Sequence, residues 1–167
     1  MIKKIVLFAI LVFPVVAFAQ ETQKIAYMDQ GDVIVNMPEY KLMMDSLKKD
    51  SEDYDAEIKS WTDEYSKKMA DFQEQQDTLN EAIKIRRYQD LEELRQRAAN
   101  FQQYAQQKLE ELQQALFAPI IEKFQKAVDE VGKENNFLYI IDSQAIRFTS
   151  SSAVNATTLV KKKLGIQ

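Results

Sequence analysis

Between Pro38 and Val131 the chain runs for about ninety residues without a glycine and with only two prolines, Pro38 and Pro119. Glycine and proline are the strongest local interrupters of helix, so their near absence from over half of the chain restricts that stretch to long helices. Its apolar residues recur at steps of three and four, the mark of a narrow seam between helices. A chain built mostly of long amphipathic helices works by surface contact rather than by catalysis in an enclosed pocket.

The first nineteen residues read as a targeting segment. Lys3 and Lys4 form a basic start, Ile5 to Phe13 an apolar run, and Ala17-Phe18-Ala19 a small-residue cleavage site. The alternative is an uncleaved N-terminal anchor, although the apolar run, broken by Pro14, is short for a membrane span. The expected mature protein starts at Gln20 and is exported as a soluble protein; no cysteine follows the cleavage site to carry a lipoprotein anchor.

Loss of Lys3 and Lys4 moves the formal charge from −4 to −6. That acidity disfavours nucleic acid, whose binding draws on phosphate neutralisation. The sequence has no cysteine and no histidine. This excludes disulfide stapling, His/Cys metal sites and the common nucleophile–histidine arrangements. No catalytic, metal-binding or cofactor-binding residue is assigned, and no enzyme is expected.

Lys24 to Asp29 alternates as a strand, and Gly31-Asp32 turns the chain. Val33-Ile34-Val35 reads equally as more sheet or as a helical turn. Pro38 suits the first turn of a helix, where its missing N–H costs nothing. The first arm carries Tyr40, Met44, Leu47, Tyr54, Ile58, Trp61, Tyr65, Met69, Phe72, Leu79 and Ile83 on its stripe, with gaps at Ser51 and Gln76. The reversal is placed at Asn80 to Arg87, against the alternative of one continuous helix. The second arm carries Leu91, Leu94, Ala98, Phe101, Ala105, Leu109, Leu112, Leu116, Ile120, Phe124, Ala127 and Val131. Pro119 is expected to kink it and Gly132 to cap it. Phe137 to Asp142 reads as a buried strand, Gln144 to Phe148 as a second strand joined by a hairpin at Asp142-Ser143, and Ala156 to Leu164 as a short helix capped by Asn155.

This order resembles the Skp (OmpH-like) family of periplasmic chaperones. The resemblance rests on Lys24-Ile25-Ala26-Tyr27-Met28-Asp29 as opening strand, on Ala118-Pro119-Ile120-Ile121 with Lys123, Ala127, Val128 and Val131, and on Asn135-Asn136-Phe137 through Ile141-Asp142. Ala145-Ile146-Arg147-Phe148 and Val154-Asn155-Ala156-Thr157 follow in their places. It covers the whole mature chain, through the order and spacing of its parts rather than one specific motif. The fold expected is α+β: a long antiparallel helical hairpin, residues 38–131, projecting from a small β body, residues 20–37 and 132–167, assembled from strands of several subunits. The resemblance implies a homotrimer whose arms enclose unfolded outer-membrane β-barrel proteins without nucleotide. A structural coiled-coil spacer of the cell envelope is the competing reading.

Within that frame Met43, Trp61, Tyr65, Met69, Phe72, Tyr88, Phe101 and Tyr104 are candidate client contacts, weighed against a plain role in the seam. Phe101 and Tyr104, three apart, cannot both be central to a narrow seam. Arg86 and Arg87 are candidates for weak contact with anionic lipid, against an ordinary solvated surface. Pro119 is a candidate hinge. Ile25, Tyr27, Leu138, Ile140, Ile146 and Phe148 are candidates for subunit association. The arms depart from the basic arms of the best-known members: Glu39 to Glu64 holds nine acidic residues and four lysines.

Overall fold

The computed structural model describes residues 24–166, so the targeting segment and its cleavage site lie outside the described residues. Strand β1 (Lys24–Met28) leads into a short helix α1 (Gln30–Val35), followed by the two long helices α2 (Pro38–Gln75) and α3 (Glu81–Glu134). Strand β2 (Phe137–Asp142), a 3-10 turn at Ser143–Ala145, strand β3 (Val154–Asn155) and helix α4 (Thr157–Leu164) complete the chain. Among the described residues no helix is long and apolar enough to cross a membrane.

Each junction has a local cause. Asp29 ends β1 and caps α1, its carboxylate accepting the Asp32 N–H at 2.9 Å. This settles Val33 and Ile34 as helical and buried. Met37 is extended and fully buried, and Pro38 opens α2 behind it. Asn80 is the N-cap of α3, its side chain accepting the Ile83 N–H at 3.0 Å. The reversal therefore falls at residues 76–80, just before the segment expected for it, because the polar residues from Glu81 onward belong to the first turns of α3. Ile83, read as the end of the first arm, lies in the second.

Gly132 does not end α3, which continues to Glu134 and is capped by Asn135. The left-handed residue is instead Asn136, at φ +52°. Asparagine tolerates that region better than most side chains. Pro119 sits within an unbroken α3, where it leaves one carbonyl of the preceding turn without its usual donor.

The three strands form a parallel sheet in the order β2-β1-β3. Ile25 stands beside Tyr139, Ala26 beside Ile140, and Tyr27 beside Ile141. The expected β hairpin at Asp142-Ser143 is absent: a 3-10 turn follows β2, and the third strand is Val154–Asn155. After β2 the chain does not return along that strand's free outer edge; it crosses to the far side of β1, where Val154–Asn155 pairs. Ile146 is half-buried and Phe148, at 82 % exposed, projects from a loop.

The core sits where the hairpin meets the sheet. Ala26 and Met28 from β1, Val33 and Ile34 from α1, and Met37 and Met43 close over Ile120, Phe124, Ala127 and Val131 of α3 and over Ala156 and Val160. The Asp29 N–H donates to Thr157 Oγ1 at 3.0 Å; the N-cap of α4 is Ala156 rather than the expected Asn155, which ends β3 and accepts the Thr157 N–H at 2.9 Å from one residue earlier. Gly165, at φ +73°, ends α4 with a left-handed turn, its N–H donating to the Lys162 carbonyl while that of Ile166 donates to Lys161.

Candidate functional site

The two-helix arm and the outer face of the sheet are the surfaces left without partners. Along the arm the second-helix stripe lies as expected: Leu91, Leu94, Ala105, Ile120, Phe124, Ala127 and Val131 are buried, and Ala98, Phe101, Leu109, Leu112 and Leu116 half-buried. The first-helix stripe needs one correction. Met43, expected off the stripe as a client contact, is only 4 % exposed and belongs to the core, whereas Met44 is 47 % exposed. At the base of the arm Met43 joins the core cluster with Ile120 and Phe124, so it is not available at the surface.

Trp61, Tyr65, Met69 and Phe72 are half-buried in the seam. Phe101 lies there too, edge-on to Tyr54 with ring centroids 5.8 Å apart. Tyr104 is half exposed and stacks obliquely on Phe101 at 6.0 Å. Of that pair it is the one turned outward. Tyr88 is 62 % exposed. Two cations lie over these rings, Arg97 over Trp61 at 4.8 Å and Lys108 over Tyr104 at 5.7 Å. Such contacts are favourable at exposed sites.

The seam is not filled throughout. Between Leu47, Tyr54 and Ile58 on α2 and Ala105 and Leu109 on α3 a groove of about 500 Å³ opens, rimmed by Ser51, Gln102, Gln106 and Gln113. Ser51, the gap visible in the sequence, and Ala105 both line the groove with small side chains where a large apolar pair would close the seam.

Near the tip, Arg87 donates to Gln75 Oε1 at 2.9 Å and so ties the two helices together. Arg86 is exposed and makes no ion pair among the described residues. Some arm charges are matched along their own helix, as Lys59 with Asp63 and Arg95 with Glu92. The hydrogen bond from Arg95 holds the Glu92 carboxyl below its ordinary value. At the base the hydrogen bond from Lys123 does the same for Glu39, linking α3 to α2.

On the sheet, Ile25 and Tyr27 point away from the core, but their neighbours there are Tyr139 and Ile141, which the sequence reading did not select. Ile140 turns inward, its Cδ1 3.8 Å from where a Cβ on Gly132 would stand. Leu138 lies at a register shift between Lys24 and Ile25 and is partly exposed. The shift moves the outward positions of β2 by one residue, a change that alternation within a continuous apolar run cannot reveal.

A long two-helix arm carried on a small parallel sheet, with apolar side chains unpartnered on both parts, defines the class of molecule. The family model for outer membrane protein (OmpH-like) matches residues 24–164, and the chain belongs to this family. A solved structure from Caulobacter crescentus CB15, described as an outer membrane chaperone (OmpH-like), is similar with a TM-score of 0.75 at 12 % identity, over 85 % of this chain and 83 % of that one. At that identity the likeness is one of fold. No curated protein matches the sequence.

Proposed function

We propose that this chain is an ATP-independent holdase of the periplasm, exported by its N-terminal segment and assembled as a homotrimer that shelters unfolded outer-membrane β-barrel proteins between its arms. The observation that carries this reading is the unpartnered apolar surface on a member of the OmpH-like family. Tyr88 and Tyr104 on the arm, and Ile25, Tyr139 and Ile141 on the sheet, are exposed in the single chain. The sheet face supports assembly, because an apolar face without a partner layer is a surface that a second copy can cover. The arm supports client binding through many small apolar contacts, each a fraction of the ~25 cal/mol per Å² of buried apolar area, so that a disordered client stays mobile and leaves without an energy source. Binding the unfolded chain opposes its aggregation by mass action. Arg86 is the better placed of the two tip arginines for a weak contact with anionic lipid.

The test dilutes a urea-unfolded outer-membrane β-barrel protein from denaturant with and without the mature protein while light scattering is followed. Suppression that saturates near three chains per client, with a soluble complex of matching mass, is the expected result. Undiminished aggregation at several-fold excess overturns the holdase reading and leaves the envelope spacer.

A further inference from the structure

We propose that the groove in the middle of the arm is a side-chain subsite: it takes an apolar, preferentially aromatic, side chain from a disordered polypeptide. The inference rests on the holdase reading and adds to it a fixed place on each arm. The groove offers about 500 Å³ between α2 and α3, and aromatic side chains gain most from burial of this kind. Leu47, Ile58 and Leu109, all half-buried, supply its walls. They are already positioned by the seam, so little ordering cost accompanies occupation.

The rim decides the occupant. Gln102 presents an amide that both donates and accepts, which matches the alternating N–H and C=O groups of an extended backbone, while the Gln106 amide donates to Glu110 Oε1 at 3.3 Å and leaves its carbonyl oxygen to accept. The charges at the rim are Asp55, Glu110 and Lys48, and the Lys48 ammonium lies 3.8 Å from Glu52 outside the groove. The rim is thus net acidic and its one cation is shared, an arrangement that repels a phosphate headgroup and tolerates a neutral or basic peptide.

The experiment places a benzophenone amino acid at Gln106 on the rim, or at exposed Gln103 elsewhere on α3 as control, and illuminates the protein holding an unfolded β-barrel. Crosslinking several-fold higher at 106 than at 103 is expected. Ser51→Leu fills the groove from within; it should leave or raise the melting temperature and lower the yield at 106 on the order of fivefold. Equal yields at the two positions, or a yield at 106 that Ser51→Leu leaves unchanged in a folded protein, overturn the subsite while the holdase reading stands. Crosslinking at 106 to a second copy without client, or to vesicles of anionic phospholipid in preference to the barrel, also overturns it. Failure of the wild-type protein to suppress aggregation removes both readings, and that result is read separately by light scattering.

Discussion

Phe101 meets Trp61 across the seam with ring centroids 4.9 Å apart and planes at 66°, an edge-to-face contact that joins the two long helices. With Tyr54 on its other side, Phe101 is the aromatic keystone of the arm. Phe101→Ala should cost about 2–3 kcal/mol locally, less than a fully buried ring because Phe101 is only half-buried. The loss belongs to the arm and not to the body. Hydrogen exchange should therefore quicken in α2 around Trp61 and in α3 around Phe101, with protection of β1 unchanged.

Met43 and Met44 are neighbours with opposite environments. Met43→Ala opens a cavity under α2 and should destabilise by about 2–4 kcal/mol. Met44→Ala should stay within about 1 kcal/mol. Urea unfolding of the two variants side by side checks the register of the first arm. A larger loss at 44 than at 43 contradicts it.

Lys163 on α4 reaches Glu130 at 3.0 Å and Glu134 at 2.6 Å on α3. The hydrogen bond and charge of Lys163 hold the Glu130 carboxyl below its ordinary 4.5. The hydrogen bonds to Glu134 and Glu130 in turn raise the Lys163 ammonium above its ordinary 10.5. A depressed carboxyl contributes stability above its unfolded value and loses it as pH falls through the folded one. A raised ammonium contributes below its unfolded value and loses it as pH rises through the folded one. The clamp thus acts fully between 4.5 and 10.5. Lys163→Met should lower the melting temperature slightly at pH near 7, and the gap from wild type should close as the solution is acidified below the folded value of Glu130. A gap that persists in acid assigns the loss to packing of the lysine stem. Because these groups are exposed, added salt should narrow the gap as well.

Tyr139 and Ile141 sit beside Ile25 and Tyr27 on the uncovered side of the sheet. If subunits associate there, Ile141→Glu places a charge inside the interface and should shift the protein from trimer to single chains in analytical ultracentrifugation. Phe148→Glu, on the outlying loop, should shift it less. A trimer that survives Ile141→Glu moves the interface elsewhere.

The long helices were legible in the sequence because a seam residue must be apolar at every turn, and α3 obeys this from Leu91 to Val131. Ser51 was visible as a gap, although only coordinates show that the gap stays open as a groove. The sheet was harder to read. Phe137 to Asp142 announces a strand by composition, but nothing local states that its partner is β1, or that they run parallel. Val154–Asn155 is a strand because β1 offers it an edge, not because of its own residues. Gln144 to Phe148 has strand-like composition yet pairs with no strand, leaving the outer edge of β2 open while the segment is turn and loop. Met43 and Met44 both fit steps of three and four between Tyr40 and Leu47, so spacing alone does not say which of the two is buried.

The sheet's central strand is the first element among the described residues, and both of its neighbours come from the far end: the bond from Asp29 to Thr157 spans 128 residues. Contacts this distant form late, after local ones have removed most of the chain's freedom. The helical hairpin, whose strands of contact close around a five-residue reversal at 76–80, can assemble without the sheet. β1 is therefore expected to pair after the hairpin has formed. Throughout that interval an apolar strand with two open edges waits for the rest of its own molecule, so this chain is itself, for a time, the kind of unfinished β-protein it is proposed to protect.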